Sequence, residues 1–282
     1  MTFQTLGNPE NPAILLIHGM ISSWKDCEPY GRFLADDYFV IMPTLDGHGN
    51  DGTDLLPLTG EVDKLVGYIK ENGITSLAMV QGSSMGAEIA LAVVKALEKE
   101  NIPVTCGFFD GGPFFHFNPF FRAFMHKKFS SLVKVFDTDD HEAAVQGLMN
   151  NPFLKFVAKD KAAQYEPLIR SMTQERRHFS KKTVDNLVTI CYKCDLPNFS
   201  ADAQKHLFFF FSDEEPARKS RKRLMKSYPA ATYQDVHGYA HCGYQTAEPE
   251  KYAAILKQAI ADRMEKHYPQ LSEVNHKLDF LL

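Results

Sequence analysis

"SLAMVQGSSMGAEIALAVV", residues 76–94, passes from an apolar run through a knot of small residues into an Ala-rich amphipathic run. The first part reads as a core strand and the last as a core helix. A turn is needed between them, but a hydroxyl at its tip is not. The knot Gly82-Ser83-Ser84-Met85-Gly86 has the form Gly-x-Ser-x-Gly, the nucleophile elbow between strand and helix. Such a turn strains its central residue, here Ser84, and the glycines leave room where a side chain would strike a neighbouring element. Ser83 becomes a packing or hydrogen-bonding neighbour. The unpaired N–H groups and positive dipole end of a helix starting at Met85 would lie beside the Ser84 oxygen, where an oxyanion would form.

Outward from the knot the same rhythm repeats. "PAILLIHG" (12–19), "YFVIMPTLDG" (38–47) and "VTCGFFDGG" (104–112) are short continuous apolar runs, the mark of strands buried on both faces. "EVDKLVGYIKENG" (61–73) is helical and closes on Asn-Gly. From Pro113 to about Ser200 the pattern turns helical throughout, opening with the Phe-dense "PFFHFNPFFRAFMHKKFSSLVKVF" (113–136). Strand spacing returns in "HLFFFFSDEEP" (206–216), followed by a helix "ARKSRKRLMKSYP" (217–229), a short strand "TYQDVHG" (232–238) and a last helix over 249–266. The tail "YPQLSEVNHKLDFLL" (268–282) is left open between a docked helix and a loose end. These runs predict an α/β fold: a mostly parallel central sheet flanked by helices, built from 1–112 and 201–282, with a helical cap inserted over 113–200.

Composition narrows the function classes. The chain has 282 residues, 44% of them hydrophobic, enough for one large core. A formal net charge of -4 gives no global footprint for nucleic acid or an anionic membrane. No run is long and apolar enough for a membrane span, and the start "MTFQTLGNPENP" lacks a signal-peptide pattern, so the expected location is the cytoplasm. Five cysteines without an export signal read as free thiols; Cys191 and Cys194 sit near the end of a helix and lack the second pair a zinc ribbon needs. No His-Glu-x-x-His and no glycine-rich phosphate loop is present, so neither a metal nor a cofactor is expected.

A serine hydroxyl needs a base to take its proton and an acid to orient that base. Eleven histidines are available. His241, in "DVHGYAHCGYQTAEPEKY", follows a Gly-x-x-His turn after the last strand and precedes the last helix, where a loop could swing an imidazole over the elbow. His237, four residues earlier, is the competitor. Four acidic or polar residues, Ser212 to Glu215, close the preceding strand.

With these elements the chain resembles the α/β-hydrolase superfamily. The resemblance covers roughly residues 10–112 and 203–264. It implies that the triad acid follows the strand before the histidine, with Ser212 in a glycine position and Glu215 in the acid position; Asp213 is the alternative, and Asp110 in "FFDGG" a minority arrangement. It implies that His18-Gly19-Met20 forms an oxyanion loop, the N–H groups of Met20 and Met85 donating to the oxyanion, with the His18 side chain a structural hydrogen-bonder. His48 reads as a turn residue. The order Ser84, Glu215, His241 is the order of that superfamily. His18, Gly19, Asp110, Phe114 and Phe115 are expected to line the substrate site, and the Phe-dense segment to roof it. Arg122, Lys127, Lys128, Arg176 and Arg177 read as a solvated face. The implied activity is that of a monomeric or homodimeric serine hydrolase cleaving a small to medium carboxylic ester, without nucleic-acid partners. A thioesterase, amidase or peptidase of the same fold, or a non-catalytic ligand-binding member, are the alternatives.

Overall fold

A computed structural model describes residues 1–158, 161, 163, 165–174 and 176–267; the tail from residue 268 lies outside them. Seven strands form one sheet: β1 (Thr2–Leu6), β2 (Ala13–Ile17), β3 (Phe39–Thr44), β4 (Leu77–Ser83), β5 (Val104–Asp110), β6 (Leu207–Ser212) and β7 (Thr232–Val236). Their order is β1-β3-β2-β4-β5-β6-β7, parallel throughout except for β1. Among the strands, the antiparallel edge strand β1 carries no signature in the sequence. Its burial is partial and without a clean alternation, so it offers neither an apolar run nor an amphipathic signal.

The helices are α1 (Trp24–Gly31), α2 (Leu58–Glu71), α3 (Met85–Lys99), α4 (Pro119–Leu132), α5 (His141–Met149), α6 (Pro152–Ala158), α7 (Glu166–Met172), α8 (Lys181–Tyr192), α9 (Ala201–Gln204), α10 (Arg221–Ser227), α11 (Gly243–Ala247) and α12 (Pro249–His267). Successive strand residues point to opposite faces, so each apolar run feeds two cores. Leu15, Ile17, Val80, Phe109 and Phe209 meet α2 and α3 on one side. Ile14, Leu16, Met79, Phe108 and Phe210 meet α1 and α12 on the other. That explains why β2, β4 and β6 carry no polar alternation. The segment 217–229, expected as one helix, divides into a 3₁₀ turn over Pro216–Ser220 and then α10. Between β5 and β6 the described residues form helices and no strand. Both the elbow and the loops that face it lie at the carboxyl ends of the parallel strands, the edge where ligands bind in open α/β sheets.

Candidate active site

Ser84 stands between β4 and α3 with φ 55° and ψ -121°, a conformation a non-glycine residue holds only when its surroundings impose it. The glycines explain the imposition. A Cβ on Gly82 would stand 2.1 Å from the Gly86 carbonyl oxygen, and one on Gly86 would stand 2.4 Å from the carbonyl oxygens of Ile17 and His18. Helix α3 is therefore packed backbone to backbone against the ends of β4 and β2. The Ser84 N–H donates to the Asp110 carbonyl at 2.8 Å, fastening the turn to β5.

Two loops bring partners to this hydroxyl. Ser84 Oγ lies 2.9 Å from His241 Nε2, and His241 Nδ1 lies 2.6 Å from Glu215 Oε2. The bonds fit one tautomer: Nδ1–H donates to the carboxylate, and Nε2 accepts from the serine. Glu215 is itself held, its Oε1 accepting from the Ser212 N–H at 2.7 Å. The turn after β5 closes over the pair. Gly111 has φ +61°, and a Cβ there would stand 2.8 Å from Glu215 Oε2 and 3.1 Å from His241 Cε1. The Tyr165 hydroxyl donates to the His241 carbonyl, tying the histidine loop to the helical insertion. Burial disfavours the imidazolium, but the hydrogen bond and charge of Glu215, with Asp110, outweigh it and raise the His241 pKa above its usual value.

The competing residues are engaged elsewhere. His237 is exposed and bonds to Asp213 at 3.1 Å, while Asp213 also accepts from the Gly238 N–H. The structure thus brings Glu215, and not Asp213, to His241. His18 donates from Nδ1 to the Gly19 carbonyl at 2.7 Å and accepts the Leu45 N–H at Nε2, so its ring is locked as a neutral brace. Burial, aided by His48, holds its pKa well below the usual value. Gly19 runs directly beside the elbow: a Cβ on it would stand 3.3 Å from that of Ser84 and 4.0 Å from its Oγ.

Solved structures carry the same architecture. A thermophilic esterase from Thermogutta terrifontis superposes with a TM-score of 0.68 at 13% identity, covering 93% of this chain and 93% of its own. A Desulfitobacterium hafniense protein described as belonging to the α/β-hydrolase family gives 0.68 at 17%, covering 91% of this chain and 99% of its own. The chain has the α/β-hydrolase fold. A meta-cleavage product hydrolase from Pseudomonas fluorescens is similar at a TM-score of 0.66 and 16% identity, covering 92% of this chain and 93% of its own. No protein-family model and no curated protein matches the sequence.

In this α/β-hydrolase fold a cavity of about 370 Å³ opens onto Ser84 and His241. Its walls come from both sides: His18, Gly19 and Met20 from the loop after β2, and Phe115, Phe121, Leu148, Tyr165 and Met172 from the region between β5 and β6. Two expected lining residues are corrected. Phe114 is fully buried and packs edge-on against Phe109 and Phe209: its backbone is left-handed, φ +40°, at the turn out of β5, and its ring lies in the core, whereas Phe115 lines the cavity. Asp110 is buried at the end of β5, off the cavity wall. Burial, then the charge of Glu215, push its carboxyl up to about 8, against the nearby Tyr252 hydroxyl and the charge of His241. Arg177 is corrected too: it is buried rather than solvated, while Arg176 is exposed and pairs with Asp137 and Asp139.

Sequence reasoning missed the polar web behind the elbow. Ser83 donates to Gln245 at 2.8 Å and accepts from Gln81 at 2.8 Å, and Gln81 also contacts the hydroxyls of Tyr30 and Tyr252 at 3.1 Å. Only the second serine hinted at it. Also missed were Cys242, whose Sγ is 3.8 Å from His241 Nε2, and Asp26, which accepts from Ser22 in the cavity wall.

Proposed function

We propose that this protein is a serine hydrolase that cleaves carboxylic esters whose acyl or alcohol part is apolar and of moderate size. His241 takes the Ser84 proton as the oxygen attacks the ester carbonyl, and returns it to the departing alkoxide. Glu215 keeps the imidazole in the Nδ1–H tautomer and stabilises the imidazolium. The N–H groups of Met20 and Met85 receive the oxyanion, each such donor contributing ~3 kcal/mol to the transition state in comparable enzymes. Water then attacks the acyl-enzyme with the same histidine as base.

The observation that carries this reading is the hydrogen-bonded run Ser84–His241–Glu215, at 2.9 and 2.6 Å, on an elbow that opens into a largely apolar cavity. The esterase and the meta-cleavage product hydrolase of the same fold support it as analogy only, because one fold hosts many chemistries. Its test is hydrolysis of p-nitrophenyl esters from acetate to long chains by wild type, Ser84→Ala and His241→Ala. Losses on the order of 10⁴–10⁶ in kcat are expected for both variants. Full activity in Ser84→Ala, or wild type inert toward every ester and toward a fluorophosphonate, would leave a ligand-binding protein as the better reading.

A further inference from the structure

The outer side of the helical insertion holds large apolar side chains in water. Phe120 is 86% exposed, Phe156 63%, Phe124 49% and Phe121 38%. Phe120, Phe121 and Phe124 stand on the first turns of α4, and Phe156 on α6, which touches α4 through Phe129 and Phe153 at 5.0 Å between ring centres. Isolated exposed apolar residues are ordinary; four phenylalanines on two contacting helices are not. Phe121 and Phe156 also line the cavity, so this patch is the rim through which it reaches solvent.

The two helices of the rim carry formal charge of one sign. Helix α4 carries Arg122, Lys127 and Lys128, α6 carries Lys155, and neither helix contains an Asp or Glu. Among the described residues none of these four is in an ion pair. Lys128 leans its ammonium over the Phe124 ring at 5.3 Å. Asp185 on the neighbouring α8 (Lys181–Tyr192) is occupied by Lys181 and His126. The chain as a whole is acidic, at -4, which hides this locally basic face from any reading of net charge.

We propose that this face docks on the surface of an anionic phospholipid bilayer, Phe120, Phe124 and Phe156 entering the boundary between headgroups and acyl chains while Arg122, Lys127, Lys128 and Lys155 meet lipid phosphates. Basic residues flanking exposed aromatics on a short amphipathic helix are the chemistry of a segment that lies in a membrane interface. The attachment is peripheral: no helix among the described residues is long and apolar enough to cross a membrane. A second copy of the chain is a poorer occupant, because a two-fold contact would set the same basic residues against one another. With the cavity mouth inside the docked patch, an amphiphilic ester would pass from the bilayer to Ser84 without crossing water. That last consequence rests on the proposed hydrolase activity; the docking itself does not.

Co-sedimentation with vesicles of phosphatidylcholine, alone or mixed with phosphatidylglycerol, tests it, using both wild type and Ser84→Ala so that binding is read apart from hydrolysis. Partitioning onto the anionic vesicles is expected to exceed that onto neutral ones by about tenfold or more and to fall as salt rises. The pair F120S/F124S should lose roughly tenfold or more of it, and K127E/K128E should lose the preference for phosphatidylglycerol. Circular dichroism of both variants guards against misfolding. The proposal is overturned by wild type staying in the supernatant with both vesicles, by equal binding to both, or by F120S/F124S binding like wild type. It is equally overturned by a dimer in light scattering that F120S/F124S converts to monomer while vesicle binding is absent.

Discussion

Glu215 reaches His241 at 2.6 Å with its second oxygen anchored on the Ser212 N–H, so its carboxylate is both charge and tether. Its neutral isostere separates these parts. Glu215→Gln keeps the shape but withdraws the charge that offsets burial of the imidazolium, so the His241 pKa should fall from above 6.5 to below it. A base must be neutral to act, so ester hydrolysis by wild type should rise with pH through an apparent pKa above 6.5. In Glu215→Gln that inflection should move to lower pH and the plateau should drop by about 10³–10⁴ in kcat. A kcat/KM profile against pH for both proteins reads this directly. Asp213→Asn should leave the inflection and plateau near wild type, because Asp213 serves His237 on the surface. An unchanged profile in Glu215→Gln together with a collapsed one in Asp213→Asn would reverse the assignment of the acid.

Among the elements, the parts legible in the sequence were those with a periodic or steric signature. β2, β4 and β6 announce themselves as apolar runs because both faces are buried, and the elbow because only glycine allows α3 to lie against β4 and β2. The acid was readable only through resemblance: three carboxylates within 213–215 share one loop, and only folding decides which one points inward. Arg177 was illegible for a related reason, since a long cationic side chain beside Arg176 looks like surface until tertiary contacts bury it. It lies between α7 and α8, donates to the carbonyls of Ser22, His48 and Met172, and stands 5.3 Å from the Phe136 ring. It therefore joins the loops after β2 and β3 to the helical insertion. Arg177→Met keeps the stem and removes the donors, leaving buried carbonyls unpaired at ~1–3 kcal/mol each. Denaturant unfolding should show a loss of about 2–4 kcal/mol, and KM for long-chain esters should rise more than kcat falls, because the insertion walls the cavity. Wild-type stability in Arg177→Met would mean these contacts carry no net energy.

Among the described residues several buried acids are in no ion pair, and this sets how stability answers pH. Burial raises Asp26 and Glu61 to about 7 and Asp110 to about 8, and pushes Glu88 well above the usual carboxylate range. The unfolded chain gives up these protons near pH 4, so from there upward the folded state holds protons that the unfolded state lacks, and stability falls as pH rises. His241 acts in the same direction: with its folded pKa raised, its contribution is complete below 6.5 and is lost as pH climbs through the raised value. His18 and His48 act oppositely, being buried neutral, with His48 lowered to about 4, but their effect is spent once the unfolded histidines lose their protons near 6.5. Between pH 6.5 and 8 the slope therefore has one sign. Each proton held only by the folded state changes stability by about 1.4 kcal/mol per pH unit, so Tm should be roughly 5 °C or more lower at pH 8 than at pH 6.5. Asp110→Asn and Glu88→Gln should each flatten that slope by supplying the same shape without a proton to lose. Calorimetric scans of the three proteins at both values decide it: a Tm that is level or higher at pH 8 in wild type would mean that these carboxyls are ionised in the fold, with partners strong enough to hold the charge.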